Sequence, residues 1–203
     1  MSEGSRKKAI LIMAKPPELG QVKTRLAKSV GNQKALDLYK ILLRNTFLRA
    51  GETGERVVVF YTNDNDISLA DSFGFEVQYQ SGKDLGEKMM NVFWWAFQQG
   101  IDQAVLIGTD CFDISSQILD KAFSLLRLND LVFGPANDGG YYLIGMNELH
   151  ESLFKNIPWS TEHVLGFSLK DADQHNLSYA LVDELVDVDT IEDLHKTGLK
   201  EHL

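Results

Sequence analysis

Three cations and a glycine lie close together early in the chain, at Lys15, Gly20, Lys23 and Arg25. They follow residues 9–14, an apolar run typical of a strand buried on both faces. Lysine and arginine placed after such a strand can neutralise phosphate groups. The spacing is neither that of a Walker loop nor that of the Rossmann glycine motif. From the residues alone, a solvated basic loop stays open as the alternative.

An acidic cluster follows the apolar run at residues 104–108. A carboxylate at the end of a central parallel strand can hold Mg²⁺ or Mn²⁺, which bridges to substrate phosphates. Asp110 comes first after the strand and is the main candidate for a metal ligand and catalytic residue. Asp113 better fits a cap of the next helix, expected to begin near Ser115. Cys111 fits a small buried residue beside the site rather than a nucleophile.

A second pair of acids, Asp187 and Asp189, alternates near the end of a strand predicted at 179–188. Alternate residues of a strand point to the same face. Either carboxylate is therefore a candidate for the second metal ligand beside Asp110. The alternative is that Asp189 or Thr190 caps the following helix.

Two glycine-containing segments are further candidates for ligand binding. Asp138, Gly139 and Gly140 predict a tight turn, and Asp138 could also orient an acceptor hydroxyl or act as a base. Gly86 stands at the start of a helix predicted at 85–99, and helix N-termini favour anions. For all three tryptophans, including Trp94 and Trp159, packing in the core is the preferred interpretation.

The elements that must position these residues alternate between strands and helices. We predict an α/β fold with a single Rossmann-like domain, a mostly parallel sheet, helices on both faces and a small antiparallel insertion. The strands are expected at 9–14, 56–62, 75–79, 104–108, 130–135, 141–146 and 179–188. The helices are expected at 35–50, 67–73, 85–99, 115–126, 160–174 and 190–197. Ligands of such sheets bind beyond the carboxyl ends of the strands, where most of the clusters fall.

Composition narrows the possible classes of protein. The chain has 203 residues and a formal net charge of −9, which argues against nucleic acid as a partner. One cysteine excludes an internal disulfide and fits a cytoplasmic location. No apolar run approaches the roughly 20 residues that span a membrane. Residues 1–8 are expected to be a flexible tail before a single domain at 9–203.

Six motifs, in this order, resemble the DUF2064 group of GT-A-like transferases, which is associated with radical-SAM and selenium genes. More distantly, the chain is similar to phospholactate guanylyltransferases and molybdenum-cofactor nucleotidyltransferases. The sequence departs from the family pattern at Phe112, where proline is usual. The motifs are AKPPELGQVKTRLA, GKDLGEKM, LIGTDCFDI, FGPANDGGYYLIGM, IPWST and LVDVDTIEDL.

The resemblance implies a GT-A fold, a nucleotide bound after the first strand and a metal at Asp110. It also implies phosphate contacts from Lys15, Lys23 and Arg25, and a ligand role for residues 138–140. A metal-dependent glycosyltransferase acting on a nucleotide-sugar and a small-molecule acceptor is the first hypothesis. Nucleotidyl transfer, which releases pyrophosphate from an NTP, is the second. A non-catalytic nucleotide-binding or partner-binding domain is the third.

Overall fold

The computed structural model describes residues 6–203, so the first five residues of the expected tail lie outside it. Seven strands form one sheet. Because the buried runs in the sequence are short, all seven strands are short as well. They are β1 (Lys8–Ala14), β2 (Arg56–Tyr61), β3 (Glu76–Tyr79), β4 (Gln103–Ile107), β5 (Leu131–Pro135), β6 (Tyr141–Met146) and β7 (Tyr179–Leu181).

The strands are arranged in the order β3-β2-β1-β4-β6-β5-β7. The pairs β1–β2, β1–β4, β2–β3 and β5–β7 are parallel, whereas β6 is antiparallel to both β4 and β5. The predicted antiparallel insertion is therefore β6. Because β6 runs in reverse, its first residue, Tyr141, lies at the same edge of the sheet as the carboxyl end of β4.

Helices cover both faces of the sheet, as the continuous apolar strands require. On one face, α2 (Asn32–Glu52), α3 (Ser68–Ser72) and α5 (Ser116–Leu125) pack against β1, β2 and β4. On the other face lie α4 (Leu85–Gln98), α6 (Val164–Gln174) and a 3₁₀ helix at Glu151–Phe154. A third cluster joins α1 (Thr24–Val30) and α2 to α7 (Ile191–His195) and the 3₁₀ helix Gly198–His202.

Three elements differ from the sequence-based predictions. Residues 24–30 form helix α1, so Arg25 is helical rather than part of a loop. Helix α6 begins at Val164 instead of residue 160, because Ser160 has a positive φ of 64°, outside the helical region. Strand β7 ends at Leu181 because its regular pairing with β5 stops there: Leu181 pairs with Phe133, whereas the next bridge joins Leu185 to Ala136 and leaves one extra residue on the β7 side.

The tryptophans divide between the core and the surface. Trp95 and Trp159 pack partly buried against the core, as predicted. The prediction for Trp94 was wrong, because 55% of this residue is exposed. Helix α4 turns Met89, Val92 and Phe93 toward the sheet, and Trp94 falls outside that face. Among the helices of residues 6–203, none is long and apolar enough to cross a membrane.

Candidate active site

A cavity of about 510 Å³ opens at the carboxyl ends of β1 and β4. Its walls come from the segment after β1, the end of β4, the first turns of α4, the start of β6 and an extended segment before α7. Gly108, just after β4, donates its N–H to the carbonyl of Tyr142 at 3.0 Å, which holds β6 beside the site. The cavity lies where parallel α/β sheets bind ligands.

The centre of the site is an ammonium group between two carboxylates. The Nζ of Lys23 lies 2.5 Å from Oδ1 of Asp110 and 3.8 Å from Oδ1 of Asp187. Only 6% of the Lys23 side chain is exposed, compared with 41% for Asp110 and 31% for Asp187. All three residues line the cavity. The structure therefore brings together three predicted site residues that are up to 164 positions apart in the chain.

The backbone at Lys23 is unusual. Its φ of 47° and ψ of 46° lie in the left-handed region, directly before α1, where Ala27 donates its N–H to the carbonyl of Lys23 at 2.8 Å. A residue other than glycine in this region costs on the order of 1–3 kcal/mol and persists only where its surroundings fix it. The start of α1 and the ion pairs at Nζ provide such fixing from both ends of the residue.

Burial and neighbouring charge set the protonation of this centre. Burial lowers the pKa of Lys23, but the charges of Asp110 and Asp187 raise it by more, so the ammonium form is favoured. Burial, with the negative charge of Asp110 next in importance, raises the pKa of Asp187 to about 7. The positive charge of Lys23 opposes this rise, whereas the charges of Asp138 and Asp189 add to it.

Tyr39 of α2 fixes the start of the basic segment, a role that the sequence did not reveal. Its hydroxyl accepts the N–H of Lys15 at 3.1 Å and donates to the carbonyl of Lys15 at 2.8 Å. Burial raises the pKa of Tyr39 to about 12, so the hydroxyl stays protonated. The sequence placed Tyr39 among the apolar residues of the helix predicted at 35–50. Nothing in that pattern indicated that its hydroxyl would bind the backbone of Lys15.

Gln80 also contributes without having been predicted. Its side-chain amide donates to the carbonyls of Ala14, at 3.1 Å, and Phe60, at 2.8 Å. The side chain thus joins the ends of β1 and β2 at the cavity wall. Its position directly after the carboxyl end of β3 is a feature that could have indicated it.

The remaining basic-segment residues are placed differently. Lys15 lines the cavity, whereas Gly20 and Arg25 lie outside its lining. Arg25 is bound to Asp189 with an Nη1–Oδ2 distance of 2.8 Å. Asp189 itself lines the cavity. Arg25 therefore anchors the segment before α7 to α1.

The acidic segment around β4 is held from several sides. Asp110 accepts the backbone N–H of Val188 through its carbonyl at 3.0 Å, which explains why Asp187 arrives beside it. Cys111 is buried, as predicted. Ser115 caps α5 by accepting the N–H of Ile118, so Asp113 is not the cap.

Phe112, the departure from the family pattern, has a packing role. Its ring packs edge-on to His202 with centroids 6.1 Å apart, and its carbonyl accepts the Asn45 side chain at 2.6 Å. A Cβ on Gly198 would lie only 3.0 Å from the Phe112 ring. The ring thus ties the loop that carries Asp110 to the 3₁₀ helix at Gly198–His202.

Gly86 and residues 138–140 do not line the cavity, although Leu85 and Lys88, on either side of Gly86, do. One Asp138 carboxylate oxygen accepts the N–H of Gly140 at 2.9 Å, and Gly139 has a φ of 87°, as the tight turn requires. At Gly86, a Cβ would lie 2.6 Å from the carbonyl of Phe154 and 2.5 Å from the indole nitrogen of Trp159. Gly86 therefore permits close packing of α4 against this segment.

The lining has a formal excess of negative charge. Four carboxylates, Asp84, Asp110, Asp187 and Asp189, face three ammonium groups, Lys15, Lys23 and Lys88. Within residues 6–203, no group of three or more histidine, cysteine or acidic side chains is arranged to hold a metal ion. Mg²⁺, however, is commonly held by one or two carboxylates together with substrate phosphates. The pair Asp110 and Asp187, which share contact with one ammonium group, fits that type of site.

A family model described as an uncharacterized protein conserved in bacteria, DUF2064, matches residues 47–161. The chain belongs to the DUF2064 family. The matched range contains Asp110, Asp138 and the α4 segment, whereas Lys23 and Asp187 lie outside it. No curated protein matches the chain.

Solved structures confirm the predicted fold of this DUF2064 protein. It is 32% identical to a protein of Desulfovibrio desulfuricans G20 with the provisional name nucleotide-diphospho-sugar transferase, with a TM-score of 0.86 over 93% of this chain and 85% of that chain. A cytidylyltransferase of Leptospira borgpetersenii is 22% identical, with a TM-score of 0.59 over 93% and 83% of the two chains. Glucosyl-3-phosphoglycerate synthase of Mycobacterium tuberculosis, solved with Mn²⁺ and UDP, is 12% identical, with a TM-score of 0.55 over 90% and 71%.

Proposed function

We propose that this DUF2064 protein is a metal-dependent glycosyltransferase that moves a sugar from a nucleotide-diphospho-sugar to a small-molecule acceptor. The observation that carries the proposal is the Lys23–Asp110–Asp187 centre in a cavity beyond β1 and β4. The position of the cavity in the sheet suits a nucleotide. The centre combines an ammonium group, which can contact phosphate, with carboxylates, which can bind a divalent cation.

The charge of the cavity supports metal dependence. A nucleotide-diphospho-sugar is an anion, and the carboxylates of Asp110 and Asp187 would repel phosphate groups placed beside them. Mg²⁺ or Mn²⁺ between the donor and the carboxylates of Asp110 and Asp187 would reverse the sign of the local charge. A metal bound there supplies Lewis-acid stabilisation of the leaving diphosphate. Asp187, rather than Asp189, is our choice for the second ligand, because Arg25 already neutralises Asp189.

Three lysines are suited to contact the phosphates. Lys15, Lys23 and Lys88 all line the cavity. Lys23 is paired with Asp110 in the structure, and its ammonium group would be free to contact the donor phosphates if Asp110 held a metal ion. Stabilising developing negative charge with fixed cations is the largest catalytic contribution in many enzymes.

Asp138 remains our proposed residue for the acceptor. It is exposed and lies outside the cavity lining, but the side-chain oxygen of the neighbouring Asn137 accepts the backbone N–H of Asp187 at 2.9 Å, so the turn that carries Asp138 adjoins the Lys23–Asp110–Asp187 centre. An acid there can orient an acceptor hydroxyl or accept its proton. We assign Gly139 and Gly140 the role of shaping the turn that presents Asp138.

Nucleotidyl transfer is the second candidate. The three cavity lysines also suit the greater charge of a triphosphate, and a cytidylyltransferase shares the fold. We rank glycosyl transfer ahead because the D. desulfuricans protein, at 32% identity, is named as a nucleotide-diphospho-sugar transferase. The two reactions differ in their products, which are a nucleoside diphosphate and pyrophosphate, respectively.

The first experiment is a thermal-shift panel of NTPs and nucleotide-sugars, with and without Mg²⁺ or Mn²⁺. A ligand at 100 times its dissociation constant stabilises the folded state by about 2.7 kcal/mol. We expect a metal-dependent rise in melting temperature that is lost in Asp110→Asn and kept in Asp113→Asn, whose exposed carboxylate on the same loop serves as a matched control. Analysis of products with the best donor then separates the two reactions.

The proposed donor site would be refuted if no ligand at millimolar concentration raised the melting temperature of either the wild type or the Asp113→Asn control. A shift without turnover of any donor would favour the non-catalytic nucleotide-binding alternative. If Asp110→Asn and Asp113→Asn lost the metal-dependent rise in melting temperature equally, Asp110 would not be a specific metal ligand.

A further inference from the structure

A second cleft, of about 230 Å³, lies between the end of β3 and α4. Two buried residues, Phe60 and Val92, form part of its lining. We call it the aromatic cleft. Its other lining residues are Gln78, Tyr79, Ser81, Asn91, Trp94 and Trp95.

Two of the four aromatic residues of this cleft are exposed. Trp94 is 55% exposed and Tyr79 is 51% exposed. Trp95 is held more firmly, with its ring edge-on to Phe60 at 5.3 Å and under the guanidinium group of Arg56 at 5.4 Å. Exposed aromatic groups that adjoin one another are typical of a binding surface.

The polar groups of the cleft are neutral. Its lining contains two side-chain amides and two hydroxyl groups but no charged side chain. Arg56, the cation next to Trp95, is paired with Glu76 at 2.6 Å. A neutral ligand that forms many hydrogen bonds suits this surface better than a phosphate or a charged peptide.

One of the amides is held in a fixed orientation. The Nδ2 of Asn91 donates to the carbonyl of Ser81 at 2.8 Å. The amide is therefore orientated with its nitrogen toward the protein, and its oxygen can accept a hydrogen bond from a ligand hydroxyl. Such a small number of oriented polar groups among aromatic side chains is the usual composition of a specific small-molecule site.

We propose that the aromatic cleft binds a neutral saccharide. The rings of Trp94 and Tyr79 offer apolar faces to the C–H groups of a sugar ring. Asn91, Gln78 and Ser81 offer hydrogen bonds to its hydroxyl groups. A sugar combines these two properties and carries no charge that the cleft would have to neutralise.

The cleft adjoins the donor cavity. Helix α4 contributes Lys88 to the cavity and Asn91 to the cleft, about 4.5 Å apart along the helix axis. The neighbouring residues Gln80 and Ser81 are divided between the two in the same way. A bound oligosaccharide is thus placed to act as the acceptor. This use as an acceptor rests on the proposed function, whereas the binding itself does not.

The test measures binding of cellohexaose, maltohexaose and N-acetylchitohexaose to the full chain, by calorimetry and by tryptophan fluorescence. We expect at least one of them to bind. We also expect the affinity to fall roughly tenfold in Trp94→Ala and in Tyr79→Ala, since each replacement removes a stacking surface. Phe167→Ala, on α6, removes an aromatic residue that is 47% exposed elsewhere and serves as the matched control. Circular dichroism checks that each variant is folded.

The inference is overturned if none of the three saccharides binds the wild type, or if Trp94→Ala binds them as tightly as Phe167→Ala does. It is also overturned if sedimentation shows that Trp94→Ala only disrupts self-association, because a second copy of the chain would then cover the cleft. Asp110→Asn should keep saccharide binding unchanged. Binding that persists when the donor panel fails would therefore leave the cleft standing and refute only the proposed reaction.

Discussion

Replacing Lys23 by methionine tests the charge arrangement at the centre of the site. Methionine keeps the unbranched apolar stem and the left-handed backbone cost but removes the ammonium group that lies 2.5 Å from Asp110 and 3.8 Å from Asp187. Removing one partner of a buried ion pair costs about 3–5 kcal/mol. Because Asp110 is 41% exposed and can regain water, we expect about 3 kcal/mol, or roughly 10 °C in Tm.

The assay is urea unfolding at about pH 8 in metal-free buffer, on a double-mutant cycle of Lys23→Met and Asp110→Asn. The two replacements should be non-additive by about 2 kcal/mol, because the second removes the charge that the first leaves unpaired. Lys28→Met, an exposed residue in the last turn of α1, should change stability by less than about 0.5 kcal/mol. Added Mn²⁺ should restore part of the loss in Lys23→Met, since the cation takes the place of the ammonium group.

Additivity within about 0.5 kcal/mol would refute this reasoning. It would mean that Lys23 and Asp110 contribute independently and that their contact is not an energetic pair. Failure of Mn²⁺ to stabilise Lys23→Met, with normal stabilisation of the wild type, would contradict the assignment of Asp110 and Asp187 as metal ligands.

Further predictions concern stability. Gly86→Ala should cost about 2 kcal/mol in urea unfolding, because its Cβ would press on Trp159; unchanged stability with lost donor binding would instead indicate a ligand role. Thr190→Ala should cost about 1 kcal/mol, because it breaks the capping box of α7; a loss below about 0.3 kcal/mol would show that the cap contributes little. Hydrogen bonds from Ser178 lower the pKa of Asp130 below its usual value of 3.8, so Asp130 stabilises the fold above that pH. Unfolding of Asp130→Asn across pH should therefore show a deficit that is constant near neutral pH and shrinks as the pH falls below about 4; a deficit that persists in acid would contradict the assigned cause.

The parts of the fold that the sequence revealed are those in which burial dominates. Residues 9–14 and 104–108 are continuous apolar runs, and both became central parallel strands. The NDGG turn likewise predicted the antiparallel strand β6. The predicted bounds that were wrong, those of α6 and β7, depended on local backbone geometry. The positive φ of Ser160 prevents α6 from beginning at residue 160, and the extra residue between Leu181 and Leu185 ends the regular pairing of β7. Neither property is visible in hydrophobic periodicity.

The candidate site was predictable in its members but not in its contacts. Lys23 and Asp110 were identified by their position after a strand, and Asp187 by its position near the end of a predicted strand that the structure ends at Leu181. Their pairing could not be derived, because it depends on the left-handed turn at Lys23 and on the Val188–Asp110 hydrogen bond. Tyr39 was missed for a similar reason, since a helix period cannot show which backbone group a buried phenol will meet. Trp94 shows the reverse case, in which a side chain typical of cores is exposed.

The site closes through contacts between very distant parts of the chain. Arg25 and Asp189, which hold the two ends together, are 164 positions apart. Closing such a large loop costs conformational entropy, and the contact stabilises the chain only after the loop is closed. Contacts of this kind therefore form late in folding. A folding intermediate that had assembled only β1 to β4 would already hold Lys23 beside Asp110 but would lack the second carboxylate. The proposed metal site would therefore be complete only in the final steps of folding, when Asp187 reaches Asp110.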